Sequence, residues 1–143
     1  MNKIIIAYWS QTGNTELMAN AIASGIIEAG REVDLLQISK VSILELKETN
    51  VFALGCPAMG DEVLEESEME PFIAEIESFV VGKKIALFGS YGWGDGQWMR
   101  DWEERMKNLG ATIVGDEGFI IQEAPDSAAK QRCKDLGKVL AAS

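Results

Sequence analysis

Short apolar runs alternate with segments of helical periodicity along this chain, and this alternation limits the fold more than any other feature. Runs rich in isoleucine, valine and leucine are typical of strands that are buried on both faces of a sheet. The predicted strands are residues 3–9, 32–37, 51–56, 84–89 and 112–122, with a candidate break in the last at Gly115 and Asp116.

The segments between these runs carry apolar residues at helical spacing. Leu17, Met18, Ala21 and Ile22 show it in the first of them, which ends at the helix-stopping Gly30. The predicted helices are residues 14–29, 41–48, 68–81, 97–109 and 125–141. Strands that alternate with helices predict an α/β fold with a parallel sheet. We expect one domain, residues 1–143, folded as a doubly wound three-layer sandwich of five βα units.

Charge and residue content exclude several functions. Acidic residues outnumber basic ones by 23 to 13, giving a net charge of −10, which disfavours nucleic acids and anionic membranes as partners. A basic or metal-rich protein partner is favoured, although the charge could serve solubility alone. With no histidine and no CxxC pair, zinc, iron–sulfur and histidine-based catalytic sites are disfavoured.

The two cysteines and the N-terminal run indicate the compartment. Cys56 and Cys133 are expected to be reduced thiols of a cytoplasmic protein. The first apolar run stops at Ser10 and Gln11 with no cleavage site after it, so it predicts a buried strand rather than a signal peptide.

A polar loop joins the first strand to the first helix and reads Ser10-Gln11-Thr12-Gly13-Asn14-Thr15. A helix N-terminus offers backbone N–H groups and a partial positive charge, hydroxyls add donors, and glycine lets the backbone curl. The loop therefore predicts a phosphate site without a lysine or arginine. It lacks the Walker A and G-x-G-x-x-G patterns. The alternative is an ordinary capped helix start.

Two further loops follow the third and fourth strands and should open at the same edge of the sheet. Met59 offers a soft, polarizable face to a flat ring, and Trp93 or Tyr91 offers an aromatic one. Residues 122–124, after the fifth strand, should border the same site.

These three loops resemble those of the flavodoxins. Ser-x-Thr-Gly-Asn-Thr after a first buried strand is similar to the FMN-phosphate loop of that family. Gly-Asp-Glu after Met59 and Tyr-Gly-Trp-Gly-Asp at residues 91–95 resemble the short-chain, clostridial-type group. The resemblance spans essentially the whole chain and implies a five-stranded parallel sheet in the order 2-1-3-4-5.

By this resemblance, residues 10–15 surround the phosphate, while Met59 covers the inner face of the ring and Trp93 the outer. Glu62 would accept a hydrogen bond from flavin N3–H, and the Gly60 carbonyl would face N5–H after reduction. The candidate cofactor-binding residues are Ser10, Gln11, Thr12, Gly13, Asn14, Thr15, Pro57, Ala58, Met59, Gly60, Asp61, Glu62, Ser90, Tyr91, Gly92, Trp93, Gly94 and Asp95. No catalytic residue or metal ligand is expected.

The implied function is a low-potential one-electron carrier rather than an enzyme. Its FMN would be bound non-covalently and would cycle mainly between semiquinone and hydroquinone. Partners would be redox proteins, with low-potential reductases or dehydrogenases as donors and reductive enzymes as acceptors, and a monomer is expected. They would dock on carboxylates that also lower the second potential. These carboxylates are Asp61, Glu62, Glu65, Glu66, Glu68, Glu70 and Asp95.

Three alternatives share parts of this pattern. An FMN-dependent NAD(P)H:quinone-type reductase needs a second substrate pocket, for which the chain has no spare segment. A response-regulator receiver needs carboxylates at the end of the first strand, where Tyr8, Trp9 and Ser10 stand instead. A domain of a larger reductase is less favoured than a free-standing protein. Arg100 and Arg105 are expected to pair with nearby acids such as Asp101 and Glu104.

Overall fold

The computed structural model describes residues 3–60 and 62–143. Its central sheet is parallel, and its strands follow the order β2-β1-β3-β4-β5, with β6 also beside β4. The strands are β1 (Ile4–Tyr8), β2 (Val33–Gln37), β3 (Val51–Gly55), β4 (Lys84–Tyr91), β5 (Thr112–Ile113) and β6 (Phe119–Gln122). The helices are α1 (Asn14–Glu28), α2 (Ile43–Lys47), α3 (Met69–Ile76), α4 (Gln97–Asn108) and α5 (Ser127–Ala141).

The predicted fifth strand is divided. β5 pairs with the start of β4 at Lys84 and Ile85, and β6 pairs with its end, from Phe88 to Tyr91. The chain leaves the sheet between them through Gly115 and Asp116, whose φ angles of 81° and 73° are left-handed. The predicted strand order is therefore confirmed, but the described sheet has six strands rather than five.

Alternate residues of each strand face opposite layers, because strand side chains point to the two sides in turn. Ile5, Phe52 and Ile85 pack in a core with residues of α3 and α4. Ile4, Ile6 and their neighbours pack in a second core with α1 and α5. The isoleucines of β1 are fully buried, which explains why this strand reads as one continuous apolar run.

Two glycines allow α1 and α5 to touch backbone to backbone. A Cβ on Gly25 would lie 2.0 Å from the Lys134 carbonyl oxygen, and one on Gly137 would lie 2.2 Å from the Ile22 carbonyl oxygen. No side chain fits at either position. This contact holds α1 and α5 together in one layer, while the short loop after Tyr8 places the N-terminus of α1 at the carboxyl edge of β1.

The predicted helices are confirmed, but two are shorter than expected. The helix predicted over residues 41–48 is α2, which begins after Ser42, whose hydroxyl accepts from Glu45 N at 3.2 Å. The one predicted over residues 68–81 ends at Ile76 and continues as a 3₁₀ turn, Glu77–Phe79. In the described part of the chain, no helix has both the length and the apolar character needed to cross a bilayer.

Candidate functional site

The first loop leaves the sheet at the end of β1 and enters α1 through a glycine. Trp9 N donates to Gly55 O (2.9 Å), and Gly13 occupies the N-cap position with a left-handed φ of 100° and no side-chain cap. The Ser10 hydroxyl accepts from Glu16 N at 3.3 Å. The first turn of α1 therefore presents backbone N–H groups next to a loop that provides hydroxyls but no basic residue. This geometry suits an anion better than the alternative of a fully capped helix.

Thr15 and Ser90 join the first loop to the end of β4. Their hydroxyl oxygens lie 2.9 Å apart in a buried position, and Ser90 N donates to Thr15 Oγ1 at 3.3 Å. This buried pair fixes the start of α1 relative to the third predicted loop.

The second loop forms a tight hairpin. Met59 and Val63 exchange two backbone hydrogen bonds of 2.9 and 3.0 Å, and Ala58 N donates to Ser90 O (3.0 Å). Gly60, with φ of 44°, and Glu62, with φ of 60°, are both left-handed. Asp61, another predicted site residue, lies outside the described residues. The hairpin places the half-buried Met59 beside the third loop.

The Glu62 carboxylate lies at the N-terminus of α4. Its Oε1 accepts from Gly96 N at 3.2 Å and from Gln97 N at 3.3 Å. A Cβ on Gly94 would come within 2.3 Å of that oxygen, so glycine makes room for the carboxylate. The resemblance assigns Glu62 to the flavin N3–H, whereas here it caps a helix.

The aromatic residues of the third loop differ in exposure. Trp93 is 63% exposed and stands at the rim. Tyr91 is half-buried against Trp98, with ring centroids 5.7 Å apart, and Trp98 Nε1 donates to Cys56 O (3.1 Å). Asp95 is exposed and pairs with Arg100 at 2.9 Å. Trp93 is therefore the aromatic ring that is free to cover a ligand.

The loops surround an open cleft of about 160 Å³. Nine predicted site residues line it: Gln11, Thr12, Asn14, Pro57, Ala58, Met59, Ser90, Tyr91 and Gly92. Glu123 also lines it, held by a hydrogen bond from its N–H to Tyr91 O (2.8 Å), while Gln122 Nε2 donates to Gly92 O at 3.3 Å. Of residues 122–124, which are expected to border the site, Glu123 lines the cleft. The other described candidates are in the same loops but do not line the cleft: Ser10, Gly13, Thr15, Gly60, Glu62, Trp93, Gly94 and Asp95.

Glu65 has a role that the sequence did not show. It is buried, 7% exposed, and its carboxylate accepts hydrogen bonds from the N–H groups of Ser67, Glu68 and Met69 and from the Ser67 hydroxyl. Burial alone would raise its pKa. The hydrogen bonds from Ser67, Met69 and Glu68 outweigh burial and lower the pKa of Glu65 to about 2.

The expectation that both arginines pair with nearby acids is correct for Arg100, although with a different acid, and wrong for Arg105. Arg100 pairs with Asp95 rather than with Asp101, and Arg105 pairs with Glu70 (2.6 Å) and Glu77 (2.7 Å) of the α3 region. Adjacent helix residues point about 100° apart, so Arg105 cannot easily turn to Glu104. The side-chain hydrogen bond with Glu70, followed by that with Glu77, raises the pKa of Arg105 against the effect of burial.

The two thiols are free and buried. Burial raises the pKa of both Cys56 and Cys133 to about 12, so neither is a reactive thiolate at neutral pH. Within residues 3–60 and 62–143, no group of Cys, Asp and Glu side chains is arranged to hold a metal ion.

This arrangement fits a phosphorylated ligand with a flat ring. The open N-terminus of α1 suits the phosphate, and the cleft leads from it to a thioether and a free indole at the rim. Fold and site together define a nucleotide-binding protein of the doubly wound α/β class, with its ligand at the carboxyl edge of the sheet.

The chain belongs to the flavodoxin family, whose sequence profile matches residues 6–137. It is 57% identical to the flavodoxin of Clostridium beijerinckii over 136 residues, 95% of this chain and 97% of that protein. It is 45% identical to the Megasphaera elsdenii flavodoxin, over 95% of this chain and 96% of that protein. The solution structure of two-electron reduced M. elsdenii flavodoxin superposes with a TM-score of 0.88, covering 98% of this chain and 99% of that one at 43% identity.

Membership of this family settles the class of function. Flavodoxins bind FMN and transfer electrons to redox proteins without turning over a substrate of their own. The chain is therefore an FMN-binding electron carrier of short-chain type, and the reductase alternative is not favoured.

Proposed function

We propose that the three loops hold FMN in the cleft and that the chain carries single electrons at low potential between redox proteins. The observation that carries this proposal is the continuity of the cleft with the open start of α1. Gln11, Thr12 and Asn14 line the same cleft as Met59 and Tyr91. One ligand can therefore contact the phosphate loop and both loops that would hold its ring.

The phosphate end binds by hydrogen bonding. The backbone N–H groups of the first turn of α1 and the hydroxyls of Ser10 and Thr12 are the donors, and the helix dipole favours negative charge there. Thr15 supports the loop through its buried contact with Ser90 rather than by lining the cleft.

The ring end combines apolar faces with polar edges. Met59 and the exposed Trp93 supply the faces, and residues 58–59 and 91–92 line the cleft, where their backbone groups can reach polar edge atoms. Bound FMN supplies the electron chemistry, which the chain tunes by contacts and charge. The remaining candidates, Pro57, Ala58, Asp61, Gly94 and Asp95, shape or charge the rim.

The partners are redox proteins that dock around the exposed Trp93. The rim carries Glu62, Glu66 and Asp95 within a chain of net charge −10. Such a field speeds encounter with complementary surfaces and is screened by salt. A cytoplasmic, single-domain monomer over residues 1–143 is consistent with this role. Stopped-flow reduction rates of a basic partner should fall as the salt concentration rises, and rates that do not change with salt contradict this docking face.

Titration of the apoprotein tests the site. We expect FMN fluorescence to be quenched with one-to-one stoichiometry, and Trp93→Ala to weaken binding and reduce the quenching because the outer face of the ring is lost. Val81→Ala is the matched control, since Val81 is also exposed, at 72%, but precedes β4 and belongs to none of the three loops around the cleft. Binding that is unaffected by Trp93→Ala, or weakened equally by Val81→Ala, contradicts the assigned site.

A further inference from the structure

The start of α3 is held by a carboxylate from outside the helix. Glu68 occupies the N-cap position but provides no side-chain cap. Glu65 takes that part: its Oε1 accepts from Glu68 N (2.7 Å) and Met69 N (2.9 Å), and its Oε2 accepts from Ser67 N (2.8 Å) and from the Ser67 hydroxyl. The buried carboxylate and its four donors form what we name the Glu65 clasp.

The Glu65 clasp lies directly after the hairpin that carries Gly60. The first strand of the hairpin is tied to β4 by Ala58 N and Ser90 O (3.0 Å), and its second strand ends at Val63. Only the buried Leu64 separates Val63 from Glu65. The clasp is therefore the anchor on the second side of the hairpin.

A further contact joins this anchor to the phosphate loop. Trp9 Nε1 donates to Glu68 Oε1 at 2.9 Å, and Trp9 directly precedes Ser10. Because Glu68 N is one of the four donors of the clasp, the loop at the phosphate end and the hairpin at the ring end share one support.

We propose that Glu65 is a positioning residue of the flavin site, which fixes the Met59–Val63 hairpin through the clasp and so sets the separation of the two one-electron potentials of bound FMN. The proposal rests on the placement of FMN in the proposed function. A hairpin that is already ordered contacts the reduced ring at no further entropic cost, whereas a loosened hairpin must be ordered when the first electron arrives. A looser hairpin therefore lowers the potential of the first one-electron reduction more than that of the second. The separation between the two potentials becomes smaller.

Substitution of the neighbouring Glu66 distinguishes a positioning role of Glu65 from an effect of its charge alone. Glu66 is exposed, whereas Glu65 is buried, and both lie after the same hairpin. Replacing either one by glutamine removes one negative charge from the same segment. Only Glu65→Gln presents an amide N–H₂ group to donors that need an acceptor.

The experiment compares Glu65→Gln, Glu66→Gln and Ser67→Ala with the wild-type protein, each loaded with FMN. The readouts are both one-electron potentials by potentiometric titration, the FMN dissociation constant, and hydrogen exchange of the Met69 amide in the apoprotein. We expect Glu65→Gln to expose that amide to exchange and to reduce the ratio of the two reduction equilibria about tenfold, equal to about 59 mV for one electron. Glu66→Gln should narrow the separation only by the smaller amount that follows from losing one exposed charge. Ser67→Ala, which keeps every charge, should narrow the separation by a smaller amount.

Equal separations in Glu65→Gln and Glu66→Gln overturn the positioning role, because charge alone then accounts for both. If Glu65→Gln does not fold, Ser67→Ala decides, and a separation identical to that of the wild type refutes the proposal. A wild-type protein that fails to bind FMN would instead refute the proposed function, so the two failures are distinguishable.

Discussion

Three of the helices that begin at the ligand edge of the sheet, α1, α3 and α4, treat their N-termini in two different ways. α3 and α4 each receive a glutamate from the second loop, Glu65 in one case and Glu62 in the other. α1 begins at Gly13 with no side-chain cap, and the hydroxyl of Ser10 is its nearby acceptor. All three ends carry the same partial positive charge.

This difference explains where an anion can bind. A helix end that already holds a protein carboxylate cannot take a second anion without losing the first, whereas α1 still has N–H groups to offer. If FMN binds as proposed, the chain neutralises the helix ends near the ring with its own acids, and the start of α1 is the end left for the phosphate. Glu62 lies in the Met59–Val63 hairpin and Glu65 just after it, so the same two contacts also tie the hairpin to the starts of α4 and α3.

A carboxylate placed at the start of α1 should abolish the difference between this helix end and those of α3 and α4. We expect this change to have the largest effect. We expect Thr12→Asp to weaken FMN binding by about 10- to 100-fold, because a new charge about 5 Å from the phosphate costs about 1–3 kcal/mol at a partly exposed site. Fluorescence titration with FMN and with riboflavin measures it. Riboflavin has no phosphate, so its affinity should change little.

The neutral Thr12→Asn variant has nearly the same shape and controls for it. It should lose far less FMN affinity than Thr12→Asp, because its amide N–H₂ can donate in place of the Thr12 hydroxyl, and its riboflavin affinity should change little. Equal losses for FMN and riboflavin in Thr12→Asp would show that the loop does not hold the phosphate.

Acid should remove the contribution of the Glu65 clasp to stability. The pKa of Glu65 is lowered to about 2 in the folded protein, below its ordinary value of 4.5. A lowered pKa stabilises the fold fully above pH 4.5, and this stabilisation is lost as the pH falls toward 2. We expect the free energy of unfolding of Glu65→Gln at pH 7 to be about 2 kcal/mol lower than that of the wild type, because the variant loses hydrogen bonds to a charged group.

Urea denaturation of both apoproteins over a series of pH values measures this effect. The gap between them should close between pH 4.5 and pH 2, where the wild-type side chain also becomes neutral. A gap that stays constant through this range contradicts the assigned cause. The exposed Glu66→Gln is the control and should show little difference from the wild type at any pH.

The sequence predicts the sheet well, but it does not predict that Glu65 and Glu62 hold the starts of α3 and α4. The difference has a physical reason. β1 and β3 are buried on both faces, so both strands can be recognised in the sequence as apolar runs. The break at Gly115 and Asp116 can also be recognised there. The cleft loops could be found because hydroxyls, glycines and aromatics are unusual in that pattern.

The acids of residues 61–70, by contrast, all look alike in the sequence. What distinguishes buried Glu65 from exposed Glu66 is the path of the hairpin, and Glu62 meets Gly96 only through a contact 34 residues away. The partners of Arg105 were missed for the same reason, because they come from another helix. Long-range pairing of similar charges depends on tertiary structure and leaves no local pattern.

The contact of Glu62 with the start of α4 can be tested at Gly94, where the smallest effect is expected. A Cβ there meets the Glu62 carboxylate at 2.3 Å, and the φ of 86° is left-handed. We expect Gly94→Ala to lower the free energy of unfolding by about 1–2 kcal/mol, mainly through backbone strain, because the flexible carboxylate can move aside. That movement should also release the amides of Gly96 and Gln97 to hydrogen exchange.

Gly92→Ala is the matched control within the same loop, since a Cβ at Gly92 meets no atom within 4 Å. It should change neither the free energy of unfolding nor the exchange of the two amides by a measurable amount. If Gly94→Ala destabilises the protein while both amides remain protected, backbone strain alone accounts for the loss. Glu62 would then not be what holds the start of α4, and the contrast between α1 and α4 would fail on the α4 side.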